Sequence, residues 1–282
     1  MKVALASCAV LPEPDPDATL LVDALHLAGA DAAILAWDDP TARFDEADVI
    51  VLRSTWNYYR DVDAFLAWVD RASAETPMYN PPHIVRWNAK KTYFADLTAR
   101  GVAVVPTIFA PQRQGAVLDA ALDDRDWDDL VIKPTVSAAS FQTKRFRPSE
   151  REAARAFYAE LVATRDVMVQ QYMPDVEGHG ERALVWIDGE LTHAVRKSAR
   201  LAGGDEAVSD ALAVSDEERA FAEGVLAPFA AELLYARVDV VRHPAGDLRL
   251  MELELLEPSL FLAQRRGAAD KLARAIVKRL RP

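Results

Sequence analysis

The sequence of 282 residues is short of cysteine and of long apolar runs. Cys8 is its single cysteine, which excludes an intramolecular disulfide and a zinc site built from several thiolates. No apolar run approaches the roughly 20 residues that a transmembrane helix requires. The acidic, proline-rich segment 11–17 follows the first apolar run, where a signal peptide would carry small residues for cleavage. These absences predict a cytoplasmic protein.

Positive charge is also scarce. The 33 Lys and Arg residues stand against 44 Asp and Glu residues, which gives a formal net charge of -11. Such a surface repels nucleic-acid phosphates and anionic lipid, so we expect neither nucleic acid nor a membrane as a partner. ATP is not excluded, because a nucleotide site needs only a few lysines and carboxylates that bring Mg²⁺ with them.

The first 85 residues alternate between short apolar runs and segments with helical periodicity. Apolar runs at 2–10, 32–37 and 48–55 predict strands, and the segments 17–28 and 61–72 predict helices. This alternation predicts a parallel sheet, whose ligand crevice lies at the carboxyl ends of its strands. The polar residues that end the third strand are either substrate-binding residues or an ordinary strand end with a structural tryptophan. They are Ser54, Thr55, Trp56 and Asn57.

The pattern changes after the Pro81-Pro82 pair. We predict one helix over 88–99 that ends at Gly101. Strands from residue 167 onward are predicted to be antiparallel, because Asp188-Gly189 is typical of a two-residue hairpin turn. A basic amphipathic helix over 262–280 closes the chain. The whole therefore combines an α/β part with an α+β part.

Three carboxylates are the first candidates for chemistry. Glu252 and Glu254 share one face of a predicted strand, since side chains alternate along a strand with a period of two. Asp239 lies alongside them if the turn at 243–247 makes a hairpin. Oxygen ligands without histidine or cysteine suit a hard cation such as Mg²⁺. The same spacing also fits an edge strand with its acidic residues toward solvent.

Lysines near apolar segments are the second signal. Lys133 ends the apolar run 130–132 and precedes a loop of small and hydroxyl residues over 135–140. A buried ammonium is costly without an anion, and such a loop can cover a phosphate. Lys90 and Lys91 lie in the predicted helix after the proline pair. Each lysine, taken alone, fits a surface position equally well.

Taken in order, these segments resemble the ATP-grasp superfamily. Four of its motifs are matched, namely Lys90/Lys91 before 101–106, the run 132–134 with its small-residue loop, the hinge strand 169–173 before Glu181, and Arg237-Val-Asp239 before Glu252-Leu-Glu254. The segments 53–58 and 251–259 resemble, within the superfamily, the group containing the cyclo-ligase of D-cycloserine biosynthesis. That group is understood to close O-ureido-D-serine-type substrates with ATP.

The resemblance implies a three-lobed fold, with an N-terminal parallel α/β domain over 1–85, a central ATP-covering domain over 86–172 and a C-terminal domain over 173–282. It implies ATP and one or two Mg²⁺ ions, with Mn²⁺ as an alternative, at Asp239, Glu252 and Glu254. The expected partner is an amino-acid-like small molecule. A homodimer is left open.

The resemblance also assigns roles to single residues. The expected ATP contacts are Lys91, with Lys90 as the adjacent alternative, Lys133, Ser137, Gln171, Tyr172, Met173 and Glu181. Among them, Glu181 is expected at the ribose and the backbone of 171–173 at the adenine. Arg237 and Arg196 are expected to face the acyl phosphate, and Ser259 to join the substrate residues. The chain departs from the superfamily in two places, Ala138-Ala139 in the phosphate loop instead of glycines and Glu254 instead of asparagine.

The expected activity is ADP-forming ligation, in which a carboxylate is activated as an acyl phosphate and attacked by nitrogen, within one substrate as in cycloserine formation. A two-substrate ligase of the dipeptide type and a nucleotide-binding module without chemistry remain alternatives. A serine hydrolase is disfavoured because no Gly-x-Ser-x-Gly segment occurs. A dehydrogenase is disfavoured because the segment 11–17 stands where a glycine-rich loop is needed.

Overall fold

The fold was obtained as a computed structural model that describes residues 1–115, 117–119, 127, 129–138, 140–198 and 207–281. Within them, the elements in chain order are β1 (Lys2–Ser7), α1 (Pro16–Leu27), β2 (Asp31–Ala36), β3 (Val49–Ser54), α2 (Val62–Glu75), β4 (Met78–Tyr79), α3 (Pro82–Asn88), α4 (Tyr93–Ala99), β5 (Thr107–Ala110), β6 (Leu130–Pro134), β7 (Lys144–Phe146), α5 (Arg151–Thr164), β8 (Val167–Gln171), β9 (Glu181–Ile187), β10 (Glu190–Lys197), α6 (Asp216–Leu226), β11 (Tyr235–Arg242), β12 (Leu248–Glu254) and α7 (Ala268–Leu280). None of these helices is long and apolar enough to span a membrane.

The N-terminal sheet is parallel throughout, in the order β2-β1-β3-β4, as the sequence predicted. Its two central strands, β1 and β3, are almost entirely buried because helices or other strands cover both of their faces. Helix α1 begins where the Asp15 side chain accepts a hydrogen bond from the backbone of Asp17. The polar ends of β1 and β3, at Ser7 and Ser54, lie side by side at the carboxyl edge.

One apolar core joins the N-terminal sheet to the last third of the chain. Leu5 from β1, Leu21 from α1, Val185 from β9 and Ile276 from α7 belong to the same buried cluster. Helix α7 starts at Ala268, later than the predicted helix over 262–280, and packs against α1. This shared core fixes the N-terminal sheet relative to the C-terminal sheet.

The central sheet is antiparallel, in the order β5-β8-β6-β7. Helix α5 covers one of its faces, and Ile132 of β6 is buried in the core between them. Because side chains alternate along β6, the neighbouring Val131 and Lys133 point to the other face. That face borders the cavity described below.

The C-terminal sheet has the order β10-β9-β11-β12 and is also antiparallel, as predicted. The β9–β10 turn is the predicted Asp188-Gly189 pair, and both residues have positive φ angles, 45° and 92°. The β11–β12 hairpin pairs Asp239 with Glu252 and Arg237 with Glu254. The hairpin expected from the sequence therefore forms.

The prediction of one helix over 88–99 is wrong. Helix α3 ends at Asn88 and α4 begins at Tyr93, so Lys90 and Lys91 lie in the turn between them. The Lys91 N–H donates to the carbonyl of Thr135, 2.8 Å away, which draws this turn toward the loop after β6. A periodicity of apolar residues does not detect such a break, since the buried positions on both sides of it stay in phase.

Helix α4 packs on the C-terminal sheet, and α3 packs on both that sheet and α2 of the N-terminal part. Ile84 and Leu97 share a buried cluster with Leu250 of β12, and Val104 forms a parallel bridge to the same residue. We therefore propose that the segment 82–104 belongs with the C-terminal unit. The three-part division 1–85, 86–172 and 173–282 stays a proposal, and this assignment of 82–104 amends it by moving the start of the central part from residue 86 to near residue 105.

Candidate active site

A cavity lies where the three sheets meet. The N-terminal part contributes Trp56 and Tyr58, the central sheet contributes Lys133, and β12 contributes Glu252 and Glu254. The cavity thus collects cationic, aromatic and acidic side chains from all three parts of the chain.

The acidic group is formed by Asp239, Glu252 and Glu254. One oxygen from each carboxylate lies within 4.8 Å of the others. Asp239 is fully buried, and the two glutamates are partly buried in the cavity wall and do not project from an open sheet edge. A set of three oxygen donors without histidine or cysteine fits a hard divalent cation.

Cations already balance these carboxylates. Lys91 Nζ lies 2.5 Å from Glu252 Oε1, and Lys197 Nζ lies 2.7 Å from Asp239 Oδ2. Arg237 donates to both oxygens of Asp239, at 2.8 Å each, and also to Glu254. Buried charges are tolerated only when they are paired in this way.

Burial and pairing shift the proton affinities of the acidic group in different directions. Burial, together with repulsion from Glu252 and Asp239, raises the pKa of Glu254 to about 8 in spite of Arg237. Burial also opposes ionisation of Glu252, but Lys91 and Lys133 outweigh it and hold the pKa of that carboxyl below its usual range. Burial is likewise outweighed at Asp239, whose pKa is lowered by its cation partners. The group thus contains both strongly ionised and readily protonated carboxylates.

Lys133 differs from the other cavity cations because it has no ion-pair partner among the described residues. Burial lowers the pKa of its ammonium group. Lys91 has two partners, since it also donates to the carbonyl of Ser137 at 3.0 Å. Of the two alanines in the phosphate loop, Ala138 lines the cavity, and Ala139 lies outside the described residues.

The residues expected at the adenine, Gln171, Tyr172 and Met173, all line the cavity. Two of their backbone donors are already used, because the N–H of Gln171 donates to Pro106 and that of Tyr172 to Asp129. The N–H of Met173 has no hydrogen-bond partner within the described part of the chain. A base edge would therefore meet Met173 before the other two amides.

Glu181 also lines the cavity, at the start of β9. Lys197 lies 2.5 Å from its carboxylate. Burial, countered by Lys197, raises the pKa of Glu181 to about 7. The Glu181 carboxylate can therefore accept hydrogen bonds from hydroxyl groups of a ligand in the cavity.

The expected substrate residues are only partly brought together. Trp56 lines the cavity, and so does Ser259. The Ser54 hydroxyl instead donates to Ser7, 2.9 Å away, and the Asn57 amide donates to Asp38 at 2.7 Å. Thr55 is fully buried, with no hydrogen-bond partner for its hydroxyl among the described residues. Ser54 and Asn57 therefore join parts of the N-terminal domain to each other.

Arg196 does not reach the cavity. It is exposed on β10, and the adjacent Lys197 is the residue that lines the cavity and contacts Glu181 and Asp239. Successive side chains of a strand point to opposite faces, so an error of one residue selects the wrong face. The alternation was readable in the sequence, but the side on which the cavity lies was not.

A second residue missed by the sequence reasoning is Glu257. Its carboxylate lines the cavity and is buried, which raises its pKa to about 7. It follows β12 in the segment that carries the family resemblance, directly before Pro258 and Ser259. An acidic residue next to a proline in a predicted loop gives no local sign of burial.

Comparisons with known proteins agree with this architecture. Residues 3–80 match the family described as the N-terminal domain of D-cycloserine synthetase DcsG. The chain is 33% identical to the cycloserine biosynthesis protein DcsG of Streptomyces lavendulae, over 99% of each chain. The crystal structure of D-cycloserine synthetase DcsG superimposes with a TM-score of 0.93 and 32% identity, over 100% of each chain.

A more distant structure has the same fold. It is the ATP-grasp ligase PsnB, complexed with a phosphomimetic variant of its minimal precursor, Mg and ADP, which superimposes with a TM-score of 0.66 and 18% identity, over 98% of this chain and 97% of that one. With its parallel N-terminal sheet, two antiparallel sheets and full-length similarity, the chain belongs to the family of D-cycloserine synthetase DcsG and has the ATP-grasp fold.

Proposed function

We propose that this chain uses ATP to convert the carboxylate of an amino-acid-type substrate into an acyl phosphate, which a nitrogen atom of the same molecule then attacks to close a ring. The general activity, ATP-dependent ligation of a carboxylate and an amine, follows from the family and the fold. The observation that supports the finer proposal is one cavity that brings together the three candidate metal ligands, buried lysines and buried aromatic residues.

ATP binds, in this proposal, toward the central sheet. Lys133 and Lys91 contact its phosphates, since Lys133 offers an ammonium without an ion pair in the described structure and Lys91 borders the same loop. The ribose hydroxyls donate to Glu181, and the adenine edge meets the backbone of Met173. A charge-assisted bond in a sheltered site is stronger than one in water, so Lys133 is expected to contribute most of the phosphate affinity.

The residues that would hold Mg²⁺ are Asp239, Glu252 and Glu254, and their oxygen-only donor set fits one or two ions, with Mn²⁺ as a substitute. When bound, the metal neutralises the charge of the terminal phosphates. Glu254, which stands where the superfamily has asparagine, adds a further carboxylate to the donor set.

The chemical steps occur where the γ-phosphate of ATP meets the carboxylate of the substrate. A carboxylate oxygen of the substrate attacks the γ-phosphorus, and the bond from phosphorus to the bridging oxygen of ADP breaks. Nitrogen then attacks the carbonyl carbon of the acyl phosphate, and inorganic phosphate leaves. Arg237 and Lys197 present fixed positive charge where this negative charge develops. Lys197 takes the role first assigned to Arg196, because it is the residue that faces the cavity.

Ring closure within one molecule gains from proximity. A nucleophile tethered to the activated carboxylate reacts as if it were present at a very high effective concentration, so no second amine site is required. The name D-cycloserine synthetase of the related structure supports a cyclic product. The resemblance to that group makes O-ureido-D-serine the first substrate to test.

The proposal is tested by incubating the enzyme, ATP and Mg²⁺ with candidate amino acids, singly and in pairs. Phosphate release and product mass are measured. Release with O-ureido-D-serine alone, giving a product lighter by one water, supports ring closure. Hydrolysis of the carbamoyl group by a water molecule, with release of carbon dioxide and ammonia, would then leave a free ring nitrogen. Activity only with paired substrates would replace the proposal with a two-substrate carboxylate–amine ligase.

A further inference from the structure

The loop that follows β12 is held rigidly by side chains from distant parts of the chain. Three successive carbonyl oxygens, those of residues 257–259, each accept one hydrogen bond. The donors are Trp56 Nε1 at 2.9 Å, Arg53 Nη2 at 3.1 Å and Arg237 Nη1 at 3.2 Å. A backbone anchored at three consecutive residues leaves its side chains little freedom to reorient.

The Glu257 side chain of this loop is a buried carboxylate that forms no ion pair in the described part of the chain. It accepts a hydrogen bond from its own backbone N–H, and Lys91 attracts it from beyond ion-pair distance. Glu257 is only 8% exposed and lines the cavity. Within the described part of the chain it makes no ion pair and no hydrogen bond to another side chain through its carboxylate. The carboxylates of Glu181, Asp239, Glu252 and Glu254 each have a cation within bonding distance. An unpaired buried charge is costly, which points to a cationic ligand.

The surroundings of Glu257 suit an organic cation better than a metal ion. Trp56 and Tyr58, both buried aromatic residues, line the same cavity, and Trp56 bonds to the backbone of Glu257 itself. Glu257 is close enough to Tyr58 that, after burial, its negative charge is the next cause that raises the pKa of that hydroxyl. Glu257 does not belong to the three-carboxylate group. A carboxylate beside aromatic rings is a favourable site for an ammonium group.

We propose that Glu257 binds the ammonium group of the amino-acid substrate and thereby selects amino acids over other carboxylates. This inference rests on the proposed function, since it concerns the compound whose carboxylate is activated. Anchoring by the loop carbonyls would hold the bound ammonium at a fixed distance from the phosphate end. Arg53 and Trp56 act as positioning residues, because they bind the loop backbone.

The test compares two ligands and three proteins by calorimetric titration in the presence of ADP and Mg²⁺. The ligands are O-ureido-D-serine and the analogue in which hydrogen replaces the α-amino group while the ureido group is kept. The proteins are the wild type, Glu257→Gln and a control, Glu190→Gln, whose carboxylate is 71% exposed on β10. Binding is measured directly, so the result does not depend on turnover.

The wild type and the control should bind the amino compound about 10- to 100-fold more tightly than its analogue, as expected for a charge-assisted contact. Glu257→Gln should reduce that preference to about one, with the affinity for the analogue nearly unchanged. Unfolding temperatures should show that the variant is folded.

Other outcomes overturn the inference. Equal losses for both ligands would indicate a structural role, and an unchanged preference in Glu257→Gln would exclude an ammonium contact. A changed Mg²⁺ requirement with the preference intact would make Glu257 a metal ligand. Failure of the wild type to distinguish the two ligands would also refute it, even if phosphate release with O-ureido-D-serine upholds the proposed function.

Discussion

We predict that Lys133 lowers the stability of the folded protein and raises its affinity for ATP. Lys133→Met should therefore make the protein more stable and bind ATP more weakly. The ammonium group has no ion pair in the described structure, and burial lowers its pKa. A methionine of similar length keeps most of the apolar contacts of the side chain and removes the buried charge. Stabilising substitutions at functional positions usually work in this way.

The expected magnitudes follow from the two environments. Loss of a charge-assisted contact to phosphate costs about 1.5–3 kcal/mol, which is a rise of roughly 10- to 150-fold in the Kd for ATP. Removal of the unpaired charge should stabilise the protein without nucleotide by about 0.5–2 kcal/mol. For a chain of this size that is a rise in Tm of a few degrees.

The gain should also depend on pH in a defined direction. Because the pKa of Lys133 is lowered in the folded state, the unfolded chain binds more protons between the lowered value and the ordinary one, and stability rises with pH across that window. Below the window the full cost is present. The Lys133→Met protein lacks this contribution, so its stability advantage should be largest below that window and shrink as the pH rises through it.

The assays are calorimetric titration with ATP and Mg²⁺, and thermal unfolding without nucleotide at several pH values. Lys90→Met is the matched control, since Lys90 is exposed in the turn beside Lys91. It should change neither quantity. An unchanged Kd in Lys133→Met, or a lower Tm without nucleotide, would refute the reasoning about this residue.

Three further substitutions test other parts of the site. Glu252→Gln should abolish ADP formation without unfolding the protein, because it removes one charge from the candidate metal group, while the loss of the ion pair to Lys91 lowers the unfolding temperature; normal turnover would contradict this. Arg237→Lys should lower kcat at least about tenfold and change KM little, since lysine lacks the planar fork that binds Asp239. Steady-state kinetics measure both constants, and a change confined to KM would contradict this prediction. Burial lowers the pKa of His193 to about 4, so stability should fall by about 3 kcal/mol as the pH drops from about 6.5 to about 4. His193→Asn should flatten that profile in urea titrations.

The acidic group was predictable because its geometry is local. Alternation along one strand placed Glu252 and Glu254 on one face, and the turn after β11 brought Asp239 opposite to them. Both facts depend on residues within about one hairpin of each other. The parallel N-terminal sheet was predictable for the same reason, since each strand and helix carries its own periodicity.

Other parts of the site depend on contacts between distant segments. Trp56 and Glu257 are 201 residues apart in sequence, and their contact turns the tryptophan toward the loop after β12. Arg196 was chosen over Lys197 because the sequence does not reveal which face of β10 the cavity covers. The turn between α3 and α4 contains the bond between Lys91 and Thr135, which also joins distant segments. Residue patterns within one helix or strand do not predict contacts between segments that lie far apart in the sequence.

The ion pairs of the cavity predict that ATP and Mg²⁺ bind in a mutually dependent way. Lys91 lies 2.5 Å from Glu252, and Lys197 lies 2.7 Å from Asp239, so a metal ion competes with two ammonium groups for these oxygens. The phosphates of ATP offer the ammonium groups new partners. Binding of either ligand therefore makes binding of the other more favourable. Such coupling is reciprocal and typically changes each affinity about 5- to 150-fold.

The prediction is that wild-type protein binds Mg²⁺ weakly without nucleotide, measured by calorimetric titration of the ion alone. Lys91→Met should bind it more tightly under the same conditions, because Glu252 then lacks its ammonium partner. Lys90→Met should behave as the wild type does, since Lys90 is exposed and belongs to no ion pair in the described structure. If the wild type binds Mg²⁺ tightly without nucleotide, and neither substitution changes that affinity, the ammonium groups do not compete with the ion.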